Sequence, residues 1–152
     1  MTVDADADDT DDPFDAGEAA GFAFDHVGVA ADDAAALVDL FGGLLGTPVA
    51  HEEEFEGMRV VFLAVGDGYL ELLEPGEDAG GAVARFLDAR GPGIHHVAFR
   101  TDDVEAALET ARELGVDLVD EEPRPGAWGH EVAFLHPRST GGVLVEFVEH
   151  GD

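Results

Sequence analysis

The chain has 152 residues and a formal net charge of −28, because 35 acidic residues outnumber seven basic ones, all of them arginine. So acidic a protein has no basic surface for nucleic acid phosphates, and without cysteine it has no disulfide bond, thiolate metal ligand or cysteine nucleophile. No apolar run approaches the roughly 18–20 residues of a membrane-spanning helix, and residues 1–20 lack the basic and apolar blocks of a signal peptide. We therefore predict a cytoplasmic protein that binds neither nucleic acid nor membrane.

Residues 1–20 form an acidic tail that contains no basic residue. Like charges at this density keep a segment solvated, so we predict that the tail is disordered. Residues 21–152 have the length of one domain, and 45% of the whole chain is hydrophobic, which is enough for a buried core.

A first module, about residues 21–76, begins with a strand-like run at 24–29. Asp32 and Asp33 follow and are favoured helix N-caps. A helical period comes next and ends at Gly46, as C-terminal capping favours. Two further strand-like runs, at 60–63 and 70–74, are separated by a glycine-containing turn.

A second module, about residues 93–149, repeats this order after a short linker helix at about 80–91. Its strand at 94–99 precedes the N-caps Asp102 and Asp103, a helical period that ends at Gly115, and strands at 132–135 and 145–149. Neither module is large enough to bury a core alone. We predict an α+β fold in which two βαβββ modules, related by a pseudo-twofold axis, form a curled mixed sheet around a metal cleft, with the helices outside.

Two pairs of residues occupy equivalent positions in the repeat: His26 with His96, and Glu71 with Glu146. Strand alternation directs all four toward the cleft, while their apolar neighbours face the helices. Buried glutamates are costly unless they are paired or bind a cation. Mixed imidazole and carboxylate ligands suit cobalt, manganese, zinc, iron or nickel better than calcium. The sequence therefore predicts a divalent metal site.

The remaining histidines are expected to lie outside the metal site. We expect His51 to be solvated, His95 to face the packing side, and His136 to lie in a loop from which it could approach a ligand. His130 flanks a turn, and His150 follows the last strand. Trp128, in a glycine-rich loop, is either an anchor of that loop or part of a lid.

Several stretches match a known family. They are Asp25-His26-Val27-Gly28-Val29-Ala30, Glu71-Leu72-Leu73-Glu74-Pro75, residues 93–99, residues 121–126, and residues 134–146 from Phe134-Leu135-His136-Pro137 to Leu144-Val145-Glu146. On these residues the chain resembles the vicinal-oxygen-chelate (glyoxalase/bleomycin-resistance/dioxygenase) superfamily, and within it the methylmalonyl-CoA epimerases. The resemblance runs from about residue 24 to 149, and its last two stretches are the most epimerase-like.

The resemblance implies one divalent metal per chain, held by His26, Glu71, His96 and Glu146. It favours cobalt(II), with manganese, zinc, nickel or iron as alternatives. It also implies a homodimer that interconverts (2R)- and (2S)-methylmalonyl-CoA through a metal-stabilised enolate, with Glu146 as a catalytic acid–base group.

The second acid–base group is open, because Val60 stands where many relatives carry a second catalytic glutamate. Glu71, Glu56 or a metal-bound water could serve. Arg138, in the loop before the strand of Glu146, is a candidate contact for a phosphate or the substrate carboxylate. Alternatively, it is a surface arginine that pairs with an acid such as Glu131.

Three other functions fit the same fold. An extradiol dioxygenase would use His26, His96 and Glu146 as its iron ligands, but Glu71 would then occupy a position needed for oxygen and catechol. A glyoxalase-type isomerase fits the four ligands equally well, and only the epimerase-like stretches disfavour it. A non-enzymatic drug-binding resistance protein would need no metal quartet.

The charge predicts a halophilic protein. At about 1 M KCl the Debye length is roughly 3 Å, so the repulsion among the acidic side chains is screened. We expect near-ultraviolet circular dichroism to show a loss of tertiary structure when KCl is lowered from molar to millimolar concentration. An unchanged spectrum at low salt would contradict this prediction.

Overall fold

The computed structural model describes residues 21–151, so the predicted disordered tail lies outside the described residues. The strands are β1 Ala23–Ala30, β2 Val49–Phe55, β3 Met58–Val65, β4 Gly68–Pro75, β5 Gly93–Arg100, β6 Arg124–Pro125, β7 Glu131–Leu135 and β8 Val145–Glu149. The helices are α1 Ala34–Leu45, α2 Ala82–Arg90 and α3 Val104–Glu113, and two 3₁₀ turns span Ala127–Gly129 and Pro137–Ser139. Over these described residues, every helix is too short or too polar to span a bilayer.

The eight strands form one mixed sheet in the order β2-β3-β4-β1-β5-β8-β7-β6. Each half has the same plan, because β1 pairs in parallel with β4, and β5 pairs in parallel with β8. The halves join where β1 and β5 run antiparallel. The predicted fold of two βαβββ modules in a curled mixed sheet is therefore confirmed.

The two long helices begin in the same way. The side chain of Asp33 accepts a hydrogen bond from the backbone N–H of Ala36 at 3.1 Å, and Asp103 accepts one from Ala106 at 3.0 Å. Each aspartate thereby satisfies a backbone donor that the first helical turn leaves free. The repeated Asp-Asp pairs of the sequence thus mark real helix starts.

Alternation along β3 and β4 separates two apolar layers. Val61, Leu63 and Leu72 pack against α1. Val60 and Leu73 lie on the opposite face, where Val83 of α2 packs against them. On β4 the side chain of Glu71 shares that second face, which is the concave side of the sheet, as predicted.

Candidate metal centre

Four buried ionisable side chains come from the four central strands of the sheet. His26 lies on β1, Glu71 on β4, His96 on β5 and Glu146 on β8, and each is between 3% and 6% exposed. Strands β4 and β8 flank the β1–β5 pair on either side. One carboxylate therefore reaches the two imidazoles from each side of the seam between the modules.

The ligand atoms of these side chains lie close together. The Nε2 atoms of His26 and His96 are 3.2 Å apart. Glu71 Oε1 lies 3.1 Å from His26 Nε2 and 3.3 Å from His96 Nε2. Glu146 Oε1 lies 3.2 Å and 3.0 Å from the same two nitrogens. The structure thus brings the four predicted ligands to one point.

This geometry fits a metal ion. Ligand atoms that each sit about 2.0–2.2 Å from one cation are separated by roughly 3 Å, which matches the distances between the imidazole and carboxylate atoms. Ligand atoms of His26, Glu71 and His96 all lie within 4.8 Å of one another. Although Glu146 Oε1 is buried beside both imidazoles, its geometry gives it no hydrogen-bond partner among the described residues. An acceptor without a donor is a natural ligand for a cation.

The four groups shift one another's protonation. Burial alone would lower the pKa of His96, but Glu146 and Glu71 outweigh it and raise that pKa to about 9. The pKa of His26 is also raised: burial opposes the shift, and Asp25, Glu146 and Glu71 cause it. Burial would raise the pKa of Glu71, yet the two imidazoles lower it to about 2. The metal-free centre is therefore a cluster of ion pairs, and a metal that binds there must displace protons from imidazole.

The residue before each histidine supports that histidine from behind. His26 Nδ1 donates to Asp25 Oδ2 at 2.7 Å. In the second module, the Nδ1 atoms of His96 and His95 lie 3.0 Å apart. A partner at Nδ1 leaves Nε2 free to act as the ligand atom, which is how metal-binding imidazoles are usually oriented.

His95 lies in the cleft, so the prediction that it faces the packing side is wrong. The β1–β5 register shifts between Gly28 and Val29, which leaves His95 without a partner across the ladder. Such a bulge changes the direction of a side chain that simple alternation would send outward. Burial, with a smaller contribution from His96, lowers the pKa of His95 to about 4, so its imidazole is neutral at pH 7.

Two small residues make room for the histidines. Gly28 lies opposite His96, and Ala98 lies opposite His26. A Cβ atom added at Gly28 would lie 2.1 Å from Cε1 of His96, closer than any real contact. The glycine two positions after His26 is therefore required by the ring of the other histidine.

A cleft of about 360 Å³ is lined by three of the four candidate ligands, Glu71, His96 and Glu146. Apolar side chains, among them Val60, Leu73 and Phe134, form much of its lining. Arg124 is the only arginine among the described residues that line it. A larger hollow of about 840 Å³ surrounds Phe24 but contains only two charged lining residues, so its chemistry does not suggest a catalytic site.

Arg138 lies away from this lining. It is in the turn Pro137–Ser139, where its Nε donates to Asp117 Oδ2 at 2.8 Å, and both side chains are more than half exposed. This is the surface ion pair that the sequence offered as an alternative, although its acid is Asp117 rather than Glu131. His136 does not line the cleft either, and its Nδ1 accepts a hydrogen bond from the backbone of Arg138.

The expectation that His51 is solvated is wrong. Its ring stacks on Trp128, with centroids 4.6 Å apart and planes 4° from parallel, and its Nε2 lies 2.8 Å from Glu53. Trp128 also contacts Phe62 and Tyr69. Trp128 therefore anchors its loop, which was one of the two predicted roles. The sequence contains no local signal for a contact between residues so far apart in the chain.

Comparison with known proteins identifies the fold family. The family model of the "Glyoxalase/Bleomycin resistance protein/Dioxygenase superfamily" matches residues 25–134. An ethylmalonyl-CoA/methylmalonyl-CoA epimerase of Cereibacter sphaeroides is 36% identical over 126 residues, which cover 80% of this chain and 92% of that protein.

Solved structures agree with this match. A methylmalonyl-CoA epimerase from Mycobacterium tuberculosis is similar with a TM-score of 0.78 and 37% identity, covering 85% of this chain and 88% of that one. A methylmalonyl-CoA epimerase in complex with methylmalonyl-CoA and NH4+ has a TM-score of 0.78 and 39% identity, covering 84% of this chain and 94% of that one.

Gly28→Ala should weaken metal binding. The added methyl group would push the His96 ring out of place, so we expect the cobalt(II) affinity to fall about tenfold or more, the range seen when ligand orientation is lost. Calorimetric titration in molar KCl measures this. Gly43→Ala is the matched control, because a Cβ there meets no atom within 4 Å. Equal affinities of Gly28→Ala and the parent protein would contradict the prediction.

The stability of the metal-free protein should depend on pH through the same cluster. Because folding raises the pKa of His96 from 6.5 to about 9, its stabilisation is complete below pH 6.5 and is lost as pH rises through 9. Because folding lowers the pKa of Glu71 from 4.5 to about 2, its stabilisation is present above pH 4.5 and is lost as pH falls through 2. Because burial lowers the pKa of His95 from 6.5 to about 4, its stabilisation is present above pH 6.5 and is lost as pH falls through 4. Thermal denaturation in molar KCl should therefore give the highest Tm near pH 6.5. The decline between pH 6.5 and 9 should be shallower in His96→Gln, and an equal slope would contradict the assignment.

Proposed function

The chain belongs to the glyoxalase/bleomycin resistance protein/dioxygenase superfamily, and from that membership we propose that it is a metal-dependent epimerase that interconverts (2R)- and (2S)-methylmalonyl-CoA. The observation that carries the proposal is the position of two buried carboxylates, Glu71 and Glu146, on opposite flanks of one pair of imidazoles. Inversion of a carbon requires that a proton leave one face and arrive at the other. Two carboxylates on either side of a common centre supply both positions.

We assign one divalent metal to His26, Glu71, His96 and Glu146. Cobalt(II) is the metal proposed from the epimerase resemblance, with manganese, zinc, nickel and iron as alternatives that the same ligands accept. When bound, the cation supplies Lewis-acid stabilisation of the negative charge that develops when a malonyl thioester loses its α-proton.

Glu146 is the proposed acid–base group on one face. Its carboxylate accepts the α-proton from that face, and a protonated group on the opposite face gives the carbon its new proton; the roles reverse for the other epimer, so no redox partner is needed. The imidazoles of His26 and His96 oppose the effect of burial and lower the pKa of Glu146, which keeps it in the basic form.

Glu71 is the best-supported group for the second face. Val60, where many relatives carry glutamate, is fully buried on the concave side and offers no ionisable atom. Glu56 lines the cleft at the β2–β3 turn, but Glu71 lies within 3.3 Å of both imidazoles. Apolar side chains, among them Leu73 and Phe134, lower the polarity of the cleft around these carboxylates.

Anionic parts of the substrate need cationic partners. Arg124 lines the cleft, and its guanidinium lies 5.5 Å from the centroid of the Phe134 ring. Its Nε also lies 3.0 Å from Asp120 Oδ1. Arg138 remains a predicted substrate contact, but its pairing with Asp117 gives this role less support than the position of Arg124 in the cleft wall.

We further propose a cytoplasmic, salt-adapted homodimer. The charge of −28 supports the adaptation to high salt. Exposed apolar side chains of the described surface, such as Phe24, Leu44 and Leu45, support association of two copies.

Exchange of the α-proton tests the proposed reaction directly. Methylmalonyl-CoA is incubated with the protein and cobalt(II) in deuterated, high-salt buffer, and NMR follows deuterium at the α-carbon. Exchange together with interconversion of the two epimers is the expected result. Parallel assays with the hemithioacetal of methylglyoxal and with catechol under oxygen test the glyoxalase-type and dioxygenase alternatives. Turnover of either in place of methylmalonyl-CoA would overturn the proposal.

Glu146→Gln should lower turnover by roughly 10²-fold or more, the usual contribution of a general base. The amide oxygen can still approach a cation, but the side chain can no longer accept the α-proton. Glu131→Gln is the matched control, because Glu131 is exposed on β7. If Glu146→Gln keeps the turnover of the parent protein, Glu146 is at most a ligand.

A further inference from the structure

A buried aspartate links the segment after β8 to one of the candidate ligands. Asp25 is 1% exposed, and its two carboxylate oxygens have different partners. Oδ2 accepts the hydrogen bond from His26 Nδ1 at 2.7 Å, and Oδ1 accepts one from His150 Nε2, also at 2.7 Å. His150 therefore contacts the metal centre through a single intervening carboxylate.

The charge of Asp25 makes both hydrogen bonds strong. Each of its oxygens lies 2.7 Å from an imidazole nitrogen, which is the length of a charge-assisted hydrogen bond. The ionised carboxylate can only accept, so both imidazoles donate to it. Arg100 is a weaker partner, since its Nε lies 3.5 Å from the same oxygen that His150 contacts at 2.7 Å.

The imidazole of His150 is itself held in place. It stacks on His130, with ring centroids 4.1 Å apart and planes 3° from parallel. The backbone N–H of Gly151 donates to His130 Nδ1 at 3.1 Å. A side chain at Gly151 would collide with the carbonyl oxygen of Gly129, 2.5 Å from the added Cβ. These contacts fix the path of the chain just beyond the ring.

The stack continues toward the cleft. His130 contacts Trp128 at 5.4 Å, and Trp128 stacks on His51 at 4.6 Å, which gives a column of four rings. Trp128 of this column belongs to the loop that follows β6, and Gly126 and Ala127 of the same loop line the cleft. One wall of the cleft and the support of His26 are therefore parts of a single packed unit.

We propose that His150 is a positioning residue of the metal centre. It orients the Asp25 carboxylate, and through it the His26 imidazole, so that His26 Nε2 faces Glu71, His96 and Glu146. The proposal rests on the metal site of the proposed function. It concerns how that site is held together and assigns His150 no contact with the substrate.

Two substitutions separate the hydrogen bond from the ring stacking. His150→Phe keeps a ring on His130 but cannot donate to Asp25. His150→Gln loses the ring but keeps an N–H donor near the position of Nε2. His136→Phe is the control, because His136 lies outside both the cleft and the column.

Cobalt(II) binding to the full chain in molar KCl is the readout, measured by calorimetric titration and by the d–d absorption bands. We expect the cobalt(II) Kd of His150→Phe to rise about tenfold or more, with altered bands, because the support of a ligand is lost. His150→Gln should bind within about threefold of the parent protein, as should His136→Phe. Near-ultraviolet circular dichroism of the metal-free variants establishes that each is folded.

The opposite pattern, with normal binding by His150→Phe and weak binding by His150→Gln, would overturn the proposal and leave only a packing role. Normal binding by both variants would overturn it as well. If the parent protein itself binds no divalent metal, the metal site of the proposed function fails and this inference fails with it. Loss of epimerase activity alone would not produce these patterns, since the titration contains no substrate.

Discussion

The antiparallel pairing of β1 with β5 is the contact on which the site depends. Its register sets His96 beside Gly28 and His26 beside Ala98. Because β4 and β8 pair with the outer edges of the same two strands, the register also determines where the two carboxylates arrive. A slip by one residue would turn the histidines to the opposite face of the sheet. The helices and the outer strands stabilise this arrangement but do not define it.

Burial of so many ionisable groups is tolerated because their charges balance. The carboxylates of Glu71 and Glu146 carry two negative charges when ionised, and neutral imidazoles of His26 and His96 carry none. A divalent cation compensates these charges, while protonated imidazoles do so in its absence, as the raised pKa of His96 indicates. Asp25 adds a further negative charge, which His150 and Arg100 approach from the outer side. The same ligands therefore suit a metal and remain compatible with a folded metal-free chain.

The faces of His26, Glu71, His96 and Glu146 could be predicted because the repeat and strand alternation are local patterns. His95 could not, since its direction depends on a bulge, and a bulge is a property of the register between two strands. The contact between Asp25 and His150 spans 125 residues and lies beyond any periodicity. Arg138 illustrates a third limit: its loop was identified from sequence, but the nearby Asp117 is its ion-pair partner in the folded chain.

Each module supplies a small residue that makes room for the histidine of the other module across the β1–β5 pair, so the two modules depend on each other. Gly28 of the first module accommodates the ring of the second, and Ala98 of the second faces the ring of the first. A fragment with only the first module would have one imidazole, one carboxylate and an unfilled space above Gly28, where the ring of His96 packs in the full chain. Two such fragments, related by the same axis, would complement each other. The four-ligand centre therefore forms only where two modules pair. The covalent link between the modules makes that pairing intramolecular.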